Sequence, residues 1–201
     1  MTRTTLHFNL LVTFFLTGLF LNSRTIQTVD PDPGSLSDFV RFSESVQDGE
    51  TDVLRGVYVP DVLALPVVQQ PADQPFYVSG SEGEVTQFSM VSRYGNIGLL
   101  AHNTLSGRFF SKLAVGQEVR LVYGAGKIEV FVVKDILRFQ ALQPESVTSS
   151  FRNLDKDEIL SAGEMFNRAY VGERRLVFQT CIGAYGNSSW GRLFVVAVPK
   201  E

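Results

Sequence analysis

Two strand-like runs near the C-terminus constrain the fold more than any other part of the chain. Residues 173–199 read ERRLVFQTCIGAYGNSSWGRLFVVAVP. Within them, 175–180 alternates and is rich in β-formers, whereas 193–198 is an unbroken apolar run. A short Gly/Asn/Ser loop joins the two, which predicts neighbouring strands. Cys181 ends the first and Arg192 opens the second. A side chain at a strand end overlooks solvent or a cleft, and the paired strand can hold a guanidinium fixed beside it. A thiol next to a fixed cation is a chemical arrangement. The plainer reading is that a lone Cys is a small buried hydrophobe and that such an Arg is solvated.

Upstream, short strand-like runs recur between turn signals. They fall at 57–59, 62–68, 84–91, 96–101, 117–123 and 128–137. Pro60 and Pro66 give the first two an edge character, since proline cannot donate to a ladder. Helical periodicity is confined to two short pieces, 109–114 and 156–162. This spacing predicts an all-β domain, a closed barrel or a sandwich. A chain of 201 residues suits one such domain plus a tail or anchor, and its 16 Phe supply apolar surface for a core.

The N-terminal part reads differently. Residues 6–21 are an apolar run that follows Arg3 and the free amino terminus, the pattern of an export signal. At 16 residues it is shorter than the roughly 20 that span a bilayer, and Leu21, Asn22 and Ser23 match a cleavage site poorly. We read 1–24 as an uncleaved anchor with its amino terminus inside and the folded domain on the extracytoplasmic side; cleavage would instead give a secreted protein. Residues 25–52 turn polar, with Pro31, Pro33 and Gly34, and read as a linker in which 39–46 is compatible with a short helix. The domain proper is then 53–201.

A net charge of −3 without a Lys/Arg cluster leaves no footprint for a phosphate backbone, so nucleic acid is not an expected partner. Gly124, Ala125, Gly126 and Lys127 lack the Ser or Thr and the glycine spacing of a phosphate loop, and read as a hairpin turn. In the long connection 141–172, Asp155, Asp157 and Glu158 alternate in a calcium-like way. Glu164 nevertheless falls at the wrong position to close an EF-hand, so a capped surface helix is expected. A connection of this length is also a candidate wall for a substrate groove.

His102 follows the run at 96–101, so it too stands just beyond a strand end. The other histidine, His7, lies in the apolar N-terminal run. The domain therefore holds one Cys and one His, and a nucleophile–base pair can be made in one way. Too few imidazole and thiolate ligands remain for a metal site. A single thiol in an exported domain points to intermolecular pairing or to a reactive group.

The segment VFQTC, residues 177–181, followed 11 residues later by Arg192 in WGRLF, resembles the sortase family of cysteine transpeptidases. So does NIGLLAH, residues 96–102, which looks like that family's histidine-bearing strand. The resemblance covers about 53–201. It implies a sortase-type closed β-barrel of about eight strands, with His102, Cys181 and Arg192 matching the family's catalytic residues. One departure stands next to the nucleophile: the family's Thr and Leu are here Val177 and Phe178. The expected activity is cleavage of a sorting-signal peptide bond through a thioacyl enzyme, with transfer to an amine on the cell envelope or another protein. No cofactor is implied. Thr180, Gln140 and Trp190 are candidate groove residues by neighbourhood. A β-barrel binding module with an inert Cys181, and a peptidase that only hydrolyses, are the alternatives.

Overall fold

Why 193–198 is apolar throughout becomes clear once both faces of that strand are followed. In the computed structural model, which describes residues 33–201, β9 (Leu176–Ala184) and β10 (Asn187–Pro199) pair antiparallel. Leu193, Val195 and Ala197 face one apolar core, while Phe194 and Val196 face a second one on the opposite side. A strand buried on both faces has no position for alternation to make polar.

Six further strands complete a ring: β1 (Leu54–Val59), β2 (Leu63–Gln69), β3 (Val85–Gln87), β4 (Ile97–Leu100), β5 (Glu118–Tyr123) and β6 (Ile128–Ala141). Their order is β10-β9-β4-β3-β2-β1-β5-β6, and pairing of β6 with β10 closes an eight-stranded barrel. The pairs β2–β3 and β4–β9 are parallel; the others are antiparallel. The far end of β6 also carries the small strands β7 (Phe151–Asn153) and β8 (Ile159–Leu160). Closure removes the edges, so the edge character expected from Pro66 is not found. Pro66 is tolerated because β3 begins pairing only at Val67, leaving β1 as its neighbour there.

The barrel interior holds Val57, Leu65, Leu99, Leu121, Phe131, Phe178 and Val195. The second core lies outside the wall, beneath α2 (Ala162–Tyr170), and includes Phe139, Phe151, Tyr170, Val177 and Phe194. The helix expected at 156–162 starts instead at Ala162. Ser161 and Glu164 form a reciprocal capping box, in which the Glu164 amide donates to the Ser161 hydroxyl at 3.3 Å and the Ser161 amide to Glu164 at 2.8 Å. Glu164, out of place for calcium, is thus a helix cap. The 84–91 run is also shorter than expected: β3 ends at Gln87, and Ser89–Tyr94 is a 3-10 helix closed by Gly95 at φ 71.

Packing begins upstream of Val53. In α1 (Pro33–Val46), Phe39 and Phe42 lie with ring centroids 5.2 and 5.9 Å from Tyr58, beside Val122. Gly56 leaves room for this helix, because a Cβ there would sit 2.9 Å from Val46 and 3.0 Å from Phe42. The apolar run at 6–21 lies outside the described residues. Among those described, no helix is long and apolar enough to cross a membrane.

One ion cluster ties β6 to the segment entering β9. Glu129 accepts from Lys127 at 2.7 Å and from Arg174 at 2.6 Å. Partial burial alone would raise its pKa, but the hydrogen bonds from Lys127 and Arg174 outweigh it and hold the carboxyl below the usual range. A depressed folded-state pKa contributes stability above the ordinary carboxylate range, and that contribution is lost as pH falls through the folded value. Melting temperature should therefore drop below about pH 4.5, and Glu129→Gln should lower the neutral-pH plateau and flatten the acid slope. An unchanged slope in that variant would remove Glu129 as a cause of acid sensitivity.

Candidate active site

Strand alternation decides which way the chemical groups point. On β9, Leu176 and Phe178 turn into the barrel, so Val177, Gln179 and Cys181 face outward. Arg192 is the direct cross-strand partner of Cys181 and also faces outward, in step with Phe194 and Val196. The two side chains are neighbours on one surface.

His102 arrives from the other side of β9. The parallel β4–β9 register sets Leu100 against Gln179, and the Ala101 amide donates to the Gln179 carbonyl at 3.3 Å. Continued by two residues, this register brings His102 abreast of Cys181. The chain then turns sharply, as the amides of Leu105 and Gly107 both donate to the His102 carbonyl, at 2.9 and 3.0 Å. Thr180 locks the turn to β9: buried, it donates its hydroxyl to the Ala101 carbonyl at 2.8 Å.

Gly107 is required by close approach. A Cβ there would meet Thr180 Oγ1 at 2.3 Å and the carbonyls of Ala101 and His102 at 2.7 Å. Backbone atoms cannot swing aside as a long side chain can. Gly107→Ala should therefore cost about 1–3 kcal/mol, the usual range for overpacking, and displace His102 from Cys181. Urea unfolding measures the first effect and the pH profile of Cys181 alkylation the second; a variant with native values in both would show that the turn yields freely.

The Arg192 guanidinium is half-buried and held by its own strand. Its Nη1 donates to the carbonyls of Ser189 and Gly191, each at 2.9 Å, and its carbon lies 6.0 Å from the Phe151 ring centroid. No carboxylate among the described residues forms an ion pair with it. The cation is positioned without being neutralised. Cys181 is half-buried and unpaired, and His102 is exposed.

His102, Thr180, Cys181 and Arg192 line one cleft of about 540 Å³ on the outer face of the barrel. Its apolar sides come from four segments. Pro75, Phe76 and Val78 belong to the loop after β2; Phe88 and Met90 lie at the 3-10 helix; Val147 and Phe151 belong to the long connection; and Met165, Phe166 and Tyr170 come from α2. The 141–172 connection thus supplies a wall of the cleft.

Gln140 and Trp190, two of the expected groove residues, do not line it. Leu137, Phe139 and Ala141 pack into the outer core, so alternation turns Gln140 away from the cleft face. Trp190 packs edge-on against Tyr185 at 5.9 Å in the β9–β10 hairpin. Gln179, which the sequence reading passed over, does line the cleft and accepts a hydrogen bond at 2.5 Å from the Tyr170 hydroxyl. Burial pushes the Tyr170 phenol far above its ordinary pKa, so it stays a neutral donor. Period-two alternation back from Cys181 is the signal that could have found Gln179.

A larger cavity, about 760 Å³, is lined by Asp135, Arg138, Asp155, Lys156, Glu158 and Arg168 among others. Two of its acids are engaged with neighbours: Arg138 pairs with Asp155 at 2.8 Å, and Arg168 donates to Glu158 at 2.8 Å. Among the described residues, no group of three or more His, Cys, Asp or Glu is arranged to hold a metal ion. Cys181 and His102 line the smaller cleft and not this cavity.

No protein-family model matches the chain, and no curated relative does. Solved structures do. Sortase A of Listeria monocytogenes aligns at 13% identity with a TM-score of 0.48, covering 77% of this chain and 89% of that one. Sortase C from Clostridium perfringens SM101 aligns at 15% identity and 0.44, covering 85% and 92%. Sortase E1 from Streptomyces coelicolor, determined with a tripeptide in its active site, aligns at 17% identity and 0.47, covering 77% and 91%. In fold, the chain is similar to these sortases.

Proposed function

We propose that this chain is a sortase-type cysteine transpeptidase. The observation that carries this reading is the convergence of three elements on one cleft: Cys181 and Arg192 as register partners of β9 and β10, and His102 at the end of the parallel strand β4. The apolar sides suit an extended peptide laid across the wall, and the exposed His102 leaves room for a second substrate.

The Cys181 thiolate is the nucleophile, with the Arg192 guanidinium its cross-strand neighbour and His102 abreast of it. Its sulfur attacks a backbone carbonyl of the bound peptide. The tetrahedral oxyanion collapses to a thioester as His102 protonates the departing amine. His102 then accepts a proton from an incoming amine, which attacks the thioester, forms the new amide and releases Cys181 as the thiolate. Arg192, permanently charged, stabilises the oxyanion or holds the peptide in register. The expected substrates are a sorting-signal peptide of an exported protein and an amine on the cell wall or another protein. The apolar run at 6–21 would hold the domain at the extracytoplasmic face of a membrane.

Alkylation of Cys181 across pH, in the native chain and in His102→Ala, tests the pair. A profile that changes when His102 is removed is expected, because the imidazole stands abreast of the thiol. A thiol that reacts like free cysteine in both proteins leaves a binding module. Turnover of a peptide library with and without added amine then separates transfer from hydrolysis, since a hydrolase gains nothing from the amine.

A further inference from the structure

Part of the cleft lining is built from two segments that share no strand pairing with each other, the loop after β2 and the 3-10 helix Ser89–Tyr94. One side chain joins them. Gln70, only 7% exposed, follows directly on β2. Its Nε2 donates to the carbonyls of Pro75 and Tyr77, both at 3.0 Å. Its Oε1 accepts from the Ser89 amide at 3.1 Å and the Ser89 hydroxyl at 2.8 Å. Two carbonyls can only accept, so chemistry itself orients the carboxamide, and all four of its bonding positions are filled.

What hangs from this clamp belongs to the cleft. Phe76 lies between the two carbonyls that Gln70 binds, and Met90 follows Ser89; both line the cleft. Phe76 is 84% exposed and Met90 40%, so packing does little to hold them. From this geometry we infer that Gln70 is a positioning residue for substrate: it fixes the separation of the Phe76 loop and the Met90 helix, and so the shape of this apolar part of the cleft that Cys181 also lines. Gln70 forms its hydrogen bonds with Pro75, Tyr77 and Ser89 and acts only through that wall. The substrate role rests on the transpeptidase reading; the wall's geometry does not.

A removed clamp takes their shared partner from the Pro75 and Tyr77 carbonyls and the Ser89 amide, all on surface segments, which loosens the wall more readily than it unfolds the closed barrel. A pair of thiol reagents reads the wall without any turnover. Iodoacetamide needs only the Cys181 thiolate, whereas iodoacetanilide carries an apolar ring that the wall can gather. On the full chain, the rate ratio of iodoacetanilide to iodoacetamide should exceed that of a free cysteine. Gln70→Met should lower the ratio about fivefold or more with the iodoacetamide rate unchanged. Ser89→Ala, an exposed change that removes one of the four bonds, should shift it the same way by about twofold. Amide exchange should quicken at 75–78 and 89–94 and hold steady in β9 and β10. An unchanged ratio in both variants overturns the inference. So does a fall in both alkylation rates together, or faster exchange throughout the barrel, since each marks a general structural role. Should no peptide be turned over, these arms still decide the matter for Gln70 while the transpeptidase reading fails on its own.

Discussion

Cys181→Ala is expected to bring peptide cleavage and transfer down to background, a loss on the order of 10⁴-fold or more, as for removal of other covalent nucleophiles. The chain contains no second cysteine that could substitute. Stability should hardly respond. Cys181 is half-buried on the outer face of the barrel and makes no disulfide, so the change should stay within about 1 kcal/mol. Binding of a peptide that the native chain cleaves should survive, because the apolar sides of the cleft are untouched. Initial rates, urea unfolding and peptide titration on the same preparation separate these effects. Residual turnover near the native rate would place the nucleophile elsewhere and end the cysteine mechanism.

Phe178→Ala is expected to produce the largest loss of stability, about 3–5 kcal/mol. Phe178 is fully buried in the barrel interior, in register with Leu99 on one side and Val195 on the other. The Phe110 ring packs edge-on against it at 5.0 Å. A closed barrel cannot slide a strand inward to fill the space, so most of the cavity should persist. A loss of that size is a large share of the roughly 5–15 kcal/mol that holds an ordinary domain together. Activity should fall as well, since Phe178 lies three residues before Cys181 on β9. Denaturant unfolding followed by Trp190 fluorescence measures the effect. A loss below 1 kcal/mol would mean that the interior collapses around the gap.

Packing also accounts for Val177 and Phe178, the departure noted beside Cys181. Phe178 fills the interior against Phe110, and Val177 turns outward into the core beneath α2. Both bulky residues are used in packing, with neither reaching the cleft.

Signals carried by neighbours in the chain were legible in the sequence alone. Alternation and the short polar loop located β9 and β10, set Cys181 and Arg192 across from each other, and placed His102 just past a strand end. The regular spacing of short strands between turns was enough for an all-β domain. Periodicity reports which face a residue takes, and that requires no knowledge of the partner.

The remaining features depend on partners distant in sequence. The parallel pairing of β4 with β9 brings His102 abreast of Cys181 across 79 positions, a juxtaposition that strand ends alone do not specify. Covering of the outer wall by α2 and the 141–172 connection explains the unbroken apolar run of β10 and puts the cleft outside the barrel. The same covering brings Gln179 into the cleft, while alternation excludes Gln140 and a hairpin contact holds Trp190 apart. Packing of α1 onto Tyr58 shows as little in local pattern as the four bonds of Gln70 do. Sequence by itself determined most strands and their faces, and singled out His102, Cys181 and Arg192 by their places at strand ends, because those follow from local geometry. The tertiary structure alone decided which faces meet, since that is set by burial of apolar surface between segments that the chain holds far apart.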